Sequence, residues 1–386
     1  MAERPAPPRS RRDAQRSVQD APETGEPSAQ ILQWPGPRLP VEPDAGSGER
    51  PAPAEDAGAR GSWRTRRPVL VPATALLVAW AATCLLDDLR PEPLDRLVVV
   101  AAAVSPLAVV PAIPVVALAV RARLWLTAAT GAAAALLPWF FVLGYAAPAP
   151  ALPGAGARLS VMLLDADRAG ADAPSVVAAV ARQQVDVLVV TETSSVLTHQ
   201  LTTSGLDPRL QARWASPPEE AVQGGMCVYS RYPVANVDDV GGTRWPVVRI
   251  TVDSGRGPVT VVAGRTSPPE QGTAAWRSDL SSLAASARVP GPTVLVGTLD
   301  ANGQQPAFRR LTASGLRDAA AVAGRGVRPT WPSWSPLPLL PLDHVLVGGG
   351  VGVRSVGTLA VAGTSHRALV ADLVVPSAAP ATPVGD

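Results

Sequence analysis

Three apolar runs in the first half of the chain constrain it more than any other feature. Val69–Leu86 is 18 residues without a charge, and Leu97–Val120 is 24. Leu124–Ala146 follows, with Trp125 at one end and Trp139, Phe140, Phe141 and Tyr145 towards the other. Runs of this length match a hydrocarbon core, and aromatic side chains collect at its two interfaces. Pro106, Pro111 and Pro114 would break a helix in water. Inside a bilayer, neighbouring helices and side chains satisfy the carbonyls that a proline leaves free. The pattern predicts three transmembrane helices, at 69–86, 97–120 and 124–146 within a segment 67–147.

Flanking charge gives the expected orientation. Arg64, Arg66 and Arg67 precede the first run, and Arg121 and Arg123 separate the second from the third. The first loop carries Asp87, Asp88, Glu92 and Asp95 against Arg90 and Arg96. Arginine excess marks the cytoplasmic side, so residues 1–66 and the second loop are expected there, in a multi-pass protein of the cell membrane. Everything after the third span is then extracytoplasmic. Residues 1–66 mix Pro, Ala, Glu and Arg without apolar periodicity, the composition of a disordered tail. Residues 148–157 read as a Pro/Ala/Gly linker, 158–376 as the soluble domain, and 377–386 as a flexible end.

Composition excludes several chemistries. All 34 basic residues are arginine, so a phosphate loop ending in Lys and Schiff-base catalysis are both ruled out. Residues 158–376 hold 19 arginines against 17 acidic residues. A nucleic-acid grip normally needs a larger basic excess, so nucleic acid is not an expected partner. Cys84 sits in an apolar run and Cys227 in a predicted strand, which leaves neither a disulfide framework nor a CxxC site. No Gly-x-Ser-x-Gly elbow is present to support a Ser-His-Asp hydrolase.

From Arg158 onward, short β-rich runs alternate with helical ones. Strands are predicted at Ser160–Leu164, Val185–Val190, Met226–Tyr229, Val247–Val252, Val259–Ala263, Thr293–Val296, His344–Val347 and Leu369–Val374. Amphipathic helices are predicted at Val176–Gln184, Ala274–Ala287 and Ala307–Ser314. The order suggests an α/β fold, a two-sheet β-sandwich flanked by helices.

Several segments then carry a resemblance: Asp186–Glu192, Tyr229–Pro233, Trp276–Leu280, Gly297–Ala301, Pro329–Pro332, Leu342–Val345 and Ser365–Arg367. In this order they are similar to the motifs of the endonuclease/exonuclease/phosphatase superfamily. The resemblance implies hydrolysis of a phosphate ester with a divalent cation, magnesium or manganese. It places Glu192 and Asp165 at metal-binding positions and His366, Asp343 and Asp300 at catalytic ones. Asp343 should orient His366 within hydrogen-bond reach. His199 matches no motif and reads as a solvated helix residue, while His344 reads equally as structural or functional.

Departures from the motif pattern matter as much. Asp165 stands for an expected asparagine, Arg265 for a histidine, Thr298 for a water-orienting aspartate, Asp300 for an asparagine and Ser365 for an aspartate. Loss of a base or water-orienting group typically removes about 10²–10⁴-fold in rate. One reading is therefore a domain with low or no turnover that still binds a phosphate-containing small molecule or lipid headgroup, with Arg265 and Arg367 supplying positive charge and no cofactor required. The alternative is an active phosphodiesterase or phosphatase with a rearranged carboxylate metal site, acting on a lipid headgroup, nucleotide or envelope phosphate.

Overall fold

The computed structural model describes residues 67–147, 156–216, 224–254 and 257–377. The expected N-terminal tail, residues 148–155 of the expected linker and residues 378–386 lie outside the described residues.

The apolar part comprises α1 (Arg67–Ala82), α2 (Glu92–Ala103), α3 (Val109–Arg121) and α4 (Trp125–Leu143). Two helices, Pro68–Leu85 and Trp125–Leu143, are long and apolar enough to cross a membrane. At about 1.5 Å per residue the second is about 28 Å long. The transmembrane helix expected over 97–120 is not one continuous helix. Glu92–Ala103 and Ser105–Arg121 form a broken pair bent by 71°, which makes a third span only if the two are taken together. The break has a local cause. Pro106 has no N–H for the Ala102 carbonyl four residues earlier, and the Ser105 hydroxyl donates to that carbonyl instead, at 2.7 Å.

The bend sends the two halves to different neighbours. α3 packs with α1 and α4 around Leu77, Ala81, Ala112, Ala134 and Ala135, small side chains that allow close approach. α2 instead lies on the soluble domain, where Val99 joins a core with Trp276, Leu280 and Leu283. Its C-terminal carbonyls accept from that domain: Asn302 Nδ2 donates to Ala103 O at 3.0 Å and Gln305 Nε2 to Val99 O at 3.2 Å. Arg277 clamps Asp95 through two bonds of 2.7 and 2.8 Å, and its Nε reaches Asp87 at 2.7 Å.

The soluble domain has twelve strands among the described residues, in two six-stranded sheets. The first has the order β11 (Gly352–Leu359), β12 (Ala368–Pro376), β1 (Gly156–Asp165), β2 (Val187–Thr193), β4 (Gly225–Ser230), β3 (Ala212–Ala215). The second has β5 (Val234–Asp239), β6 (Val247–Asp253), β7 (Pro258–Arg265), β8 (Thr293–Thr298), β10 (Asp343–Gly348), β9 (Arg317–Asp318). Alternation along the strands turns one face of each sheet inward. Leu159, Val161, Leu163, Val187 and Val189 meet Val248, Ile250, Val261, Val294 and Val296 in one core. The outer face of the first sheet is covered by α5 (Ala173–Gln183) and α6 (Ser195–Thr203). That of the second is covered by α7 (Thr273–Ser286) and α8 (Pro306–Thr312). A short α9 (Ala319–Ala323) packs against β11 and β10.

All eight expected strands and three expected helices are present, with ends shifted by a few residues. The strands β3, β5, β9 and β11 and the helix α9 are additional to those expected, and α6 supplies the helix expected around His199. The two sheets end together at one rim, where β1, β2, β7 and β8 finish and β10 begins.

Candidate active site

That rim carries the site residues. Asp165 closes β1, Glu192 lies near the end of β2, Arg265 closes β7, Thr298 closes β8 and Asp343 opens β10. Asp343 pairs with Thr298, and Arg265 with Thr298, in the sheet register. Close approach is built into this rim. A Cβ on Gly297 would meet the carbonyl oxygen of Gly264 at 2.3 Å, so only glycine fits where β7 and β8 converge. Glu192 and Asp300 have φ of 52° and 46°. Non-glycine residues are held there at a cost of about 1–3 kcal/mol, so the two carboxylates are aimed by strained backbone.

A hydrogen-bonded chain crosses the rim. Thr191 Oγ1 lies 3.1 Å from Asp165 Oδ2 and 3.1 Å from Thr298 Oγ1. Thr298 Oγ1 donates to Asp343 Oδ1 at 2.8 Å, and Asp343 Oδ2 meets His366 Nδ1 at 2.7 Å. The expected Asp343–His366 contact is therefore present. Thr191 Oγ1 donates to Asp165 Oδ2, so the Asp165 and Asp343 carboxylates are the two acceptors at the ends of the threonine pair. Burial pushes the Asp165 carboxyl up; the charge of His366 opposes this, and Glu192 and Asp343 add to it.

Charge in the cleft is organised in two pairs. Arg265 Nη2 and Glu192 Oε1 are 2.7 Å apart, with the arginine side chain 5% exposed. The other Glu192 oxygen accepts from Arg168 N at 2.9 Å. The Arg265 guanidinium also lies 4.5 Å over the Trp245 ring, a cation–π contact of about 1 kcal/mol. In the second pair, burial works against charge on His366, but the carboxylates of Asp343, Asp165 and Asp300 outweigh it and raise the imidazole to about 10. Asp343 is lowered despite burial, because the charge of His366 and bonds from His366, Thr330 and Thr298 favour the carboxylate. Asp300 is held up to about 7, chiefly by burial; His366 and Arg265 pull it down, and Asp165 and Asp343 push it up.

Asp300 and His366 line a cavity of about 400 Å³ together with Val100, Val104, Trp331 and Leu340. The cavity thus has a polar end and an apolar wall contributed by α2. Of the residues expected in the site, Asp165, Glu192, Arg265, Asp300, Asp343 and His366 are brought together. Arg367 donates from Nη2 to Ser335 O at 2.9 Å, a contact with the 331–340 loop. His344 is buried, with Nδ1 2.8 Å from Asp318 and Nε2 2.8 Å from Ala301 O. Both its nitrogens face acceptors, and it fixes the loop that follows Asp300. His199 is exposed on α6. Two participants were not foreseen. Trp245 belongs to no motif, and Thr191 reads as one more β-former in an apolar strand.

The residues present do not fit a divalent cation as arranged. Both oxygens of Glu192, Asp165 and Asp343 have partners within the protein. Among the described residues, no group of three or more His, Cys, Asp or Glu is disposed to hold a metal. A guanidinium occupies the carboxylate that a cation would need.

The profile of a family described as "Endonuclease/Exonuclease/phosphatase family" matches residues 155–366. No curated protein matches the chain. Among solved structures, it is similar to an endonuclease/exonuclease/phosphatase from Bacteroides vulgatus, at 15% identity and a TM-score of 0.48, covering 56% of this chain and 99% of that one. Truncated TDP2 from Caenorhabditis elegans gives 14% identity and a TM-score of 0.46, covering 56% and 98%. An endonuclease/exonuclease/phosphatase from Beutenbergia cavernae gives 24% identity and a TM-score of 0.44, covering 57% and 72%.

Proposed function

The chain belongs to the endonuclease/exonuclease/phosphatase family, and from that premise we propose that it binds a phosphate-bearing ligand with little or no metal-dependent turnover. Members of this family generally use a divalent metal. The observation that carries the proposal is the 2.7 Å pair between Arg265 and Glu192. A fixed internal cation takes the carboxylate of a metal position, Thr298 stands where the family has its water-orienting aspartate, and Ser365 where it has the aspartate next to the histidine. What remains suits recognition. His366, charged at neutral pH, stands at the cavity with Asp343 behind it, and Arg265 adds positive potential from deeper in the rim. Arg367 takes part by holding the 331–340 loop. The ligand class is a phosphate ester or lipid headgroup, reached on the outer face of a membrane that the apolar helices cross, with the N-terminus cytoplasmic.

A second reading has Asp165 and Asp300 in its favour, two added carboxylates within electrostatic reach of His366. In that reading the chain is a hydrolase whose Arg265 leaves Glu192 when a cation binds. Rates with a generic phosphodiester separate the two. The native chain should show no magnesium-dependent hydrolysis. Restoring Thr298→Asp, Ser365→Asp and Arg265→His together should raise the rate by about 10²-fold or more and make it depend on magnesium. A substantial native rate that Glu192→Ala abolishes would establish the second reading and refute the first.

A further inference from the structure

The 329–342 segment is a proline-rich loop with an apolar tip. It holds no charged residue over its 14 positions, and five of them are proline. Its base is closed by a bridge between Trp331 and Leu340, with Leu340 N donating to Trp331 O at 2.9 Å and Trp331 N to Leu340 O at 3.0 Å. Ser333 N donates to Ser365 O at 2.7 Å, and Arg367 holds the Ser335 carbonyl. Beyond this base, the large apolar side chains face solvent. Trp334 is 81% exposed, Leu337 77% and Leu339 53%. Among the described residues after Gly156, the exposed large apolar side chains are these three, Trp331, Val196 and Val237. Four of the six fall in one loop, which is concentration and not scatter.

Position indicates what covers it. Trp331 and Leu340 line the same cavity as Val100 of α2 and Val104 just after its end, where the chain turns through the 71° bend into the apolar bundle. The loop is thus continuous with the part of the molecule that meets lipid. Tryptophan and leucine without charge suit the boundary between headgroups and acyl chains, and a proline-stiffened tip loses little freedom on entering it.

We propose that the 331–340 loop is seated in the bilayer interface beside α2, a second membrane contact that faces the cleft mouth towards lipid. This rests on the membrane reading given above. The test uses the full chain in vesicles of phosphatidylcholine and phosphatidylglycerol. Cys84 and Cys227 are both buried, so single exposed cysteines can be spin-labelled at Leu337→Cys, at Leu76→Cys in α1 and at Val237→Cys on the far edge strand. All three are exposed side chains, and a melt matching the parent confirms each fold. Labels at 337 and 76 should collide readily with oxygen and poorly with a water-soluble nickel chelate, and the label at 237 should do the opposite. A nickel-accessible 337 beside an oxygen-rich 76 overturns the loop proposal and leaves the membrane reading intact. Nickel-accessible labels at both positions overturn the membrane reading and the loop proposal with it. A 337 label shielded from both reagents would mean that a protein surface covers the loop, and also overturns it.

Discussion

At the residue scale, the site depends on how neighbouring charges set protonation. His366 is raised to about 10 mainly by Asp343 acting against burial, so Asp343→Asn should bring its titration back towards about 6.5, the ordinary histidine value. The imidazole resonances would show this directly. The linkage follows in sign. A histidine whose folded value lies above its unfolded one adds stability that is complete below about 6.5 and lost as pH rises through about 10. His366→Gln should therefore lower the melting temperature most at pH 6 and least above pH 10. Asp300, held up to about 7, gains a negative charge through the neutral range. Affinity for a phosphodiester monoanion should fall about tenfold as pH rises through about 7, equivalent to about 1.4 kcal/mol, and Asp300→Asn should flatten that dependence. A flat profile in the native chain would show that Asp300 does not face the ligand.

At the element scale, the legible strands were the interior ones. β2, β4, β8 and β10 are buried along almost their whole length because both faces are covered, and β1, β6, β7 and β12 keep enough buried apolar positions to read as strands. The four that were missed, β3, β5, β9 and β11, are the outermost strands of the two sheets. Edge strands are short or polar: Val234–Asp239 is mostly exposed and ends in two aspartates. The bend in the second apolar run was invisible for another reason. Prolines signalled a disturbance, but where α2 would go depended on Asn302, Gln305 and Arg277, some 200 residues away in sequence. That docking can be tested. Asp95 is 2% exposed and Arg277 13%, so Arg277→Met leaves a buried carboxylate without its partner and should cost about 3–5 kcal/mol. Pairing it with Asp95→Leu should recover much of the loss. Equal destabilisation in the single and double variants would mean that the pair does not hold α2 to the domain.

At the scale of the whole molecule, motif order identified the family and gathered six of the seven proposed site residues at one rim. It did not reveal that Arg265 would reach Glu192, because a substitution shows which group is present and not where it points. Trp245, whose ring supports that arginine, had no sequence signal at all. Topology is a separate expectation. A reporter fused after Pro376 should behave as exported and one within the first 60 residues as cytoplasmic, and both on one side would contradict the orientation. The central claim is that an internal guanidinium makes phosphate recognition independent of metal. It is tested most directly by titrating the full chain with inorganic phosphate, once in a chelator and once in magnesium. The dissociation constant should be the same in both, and His366→Gln should weaken it in both. Binding that appears only with magnesium and disappears in Glu192→Ala would contradict the claim.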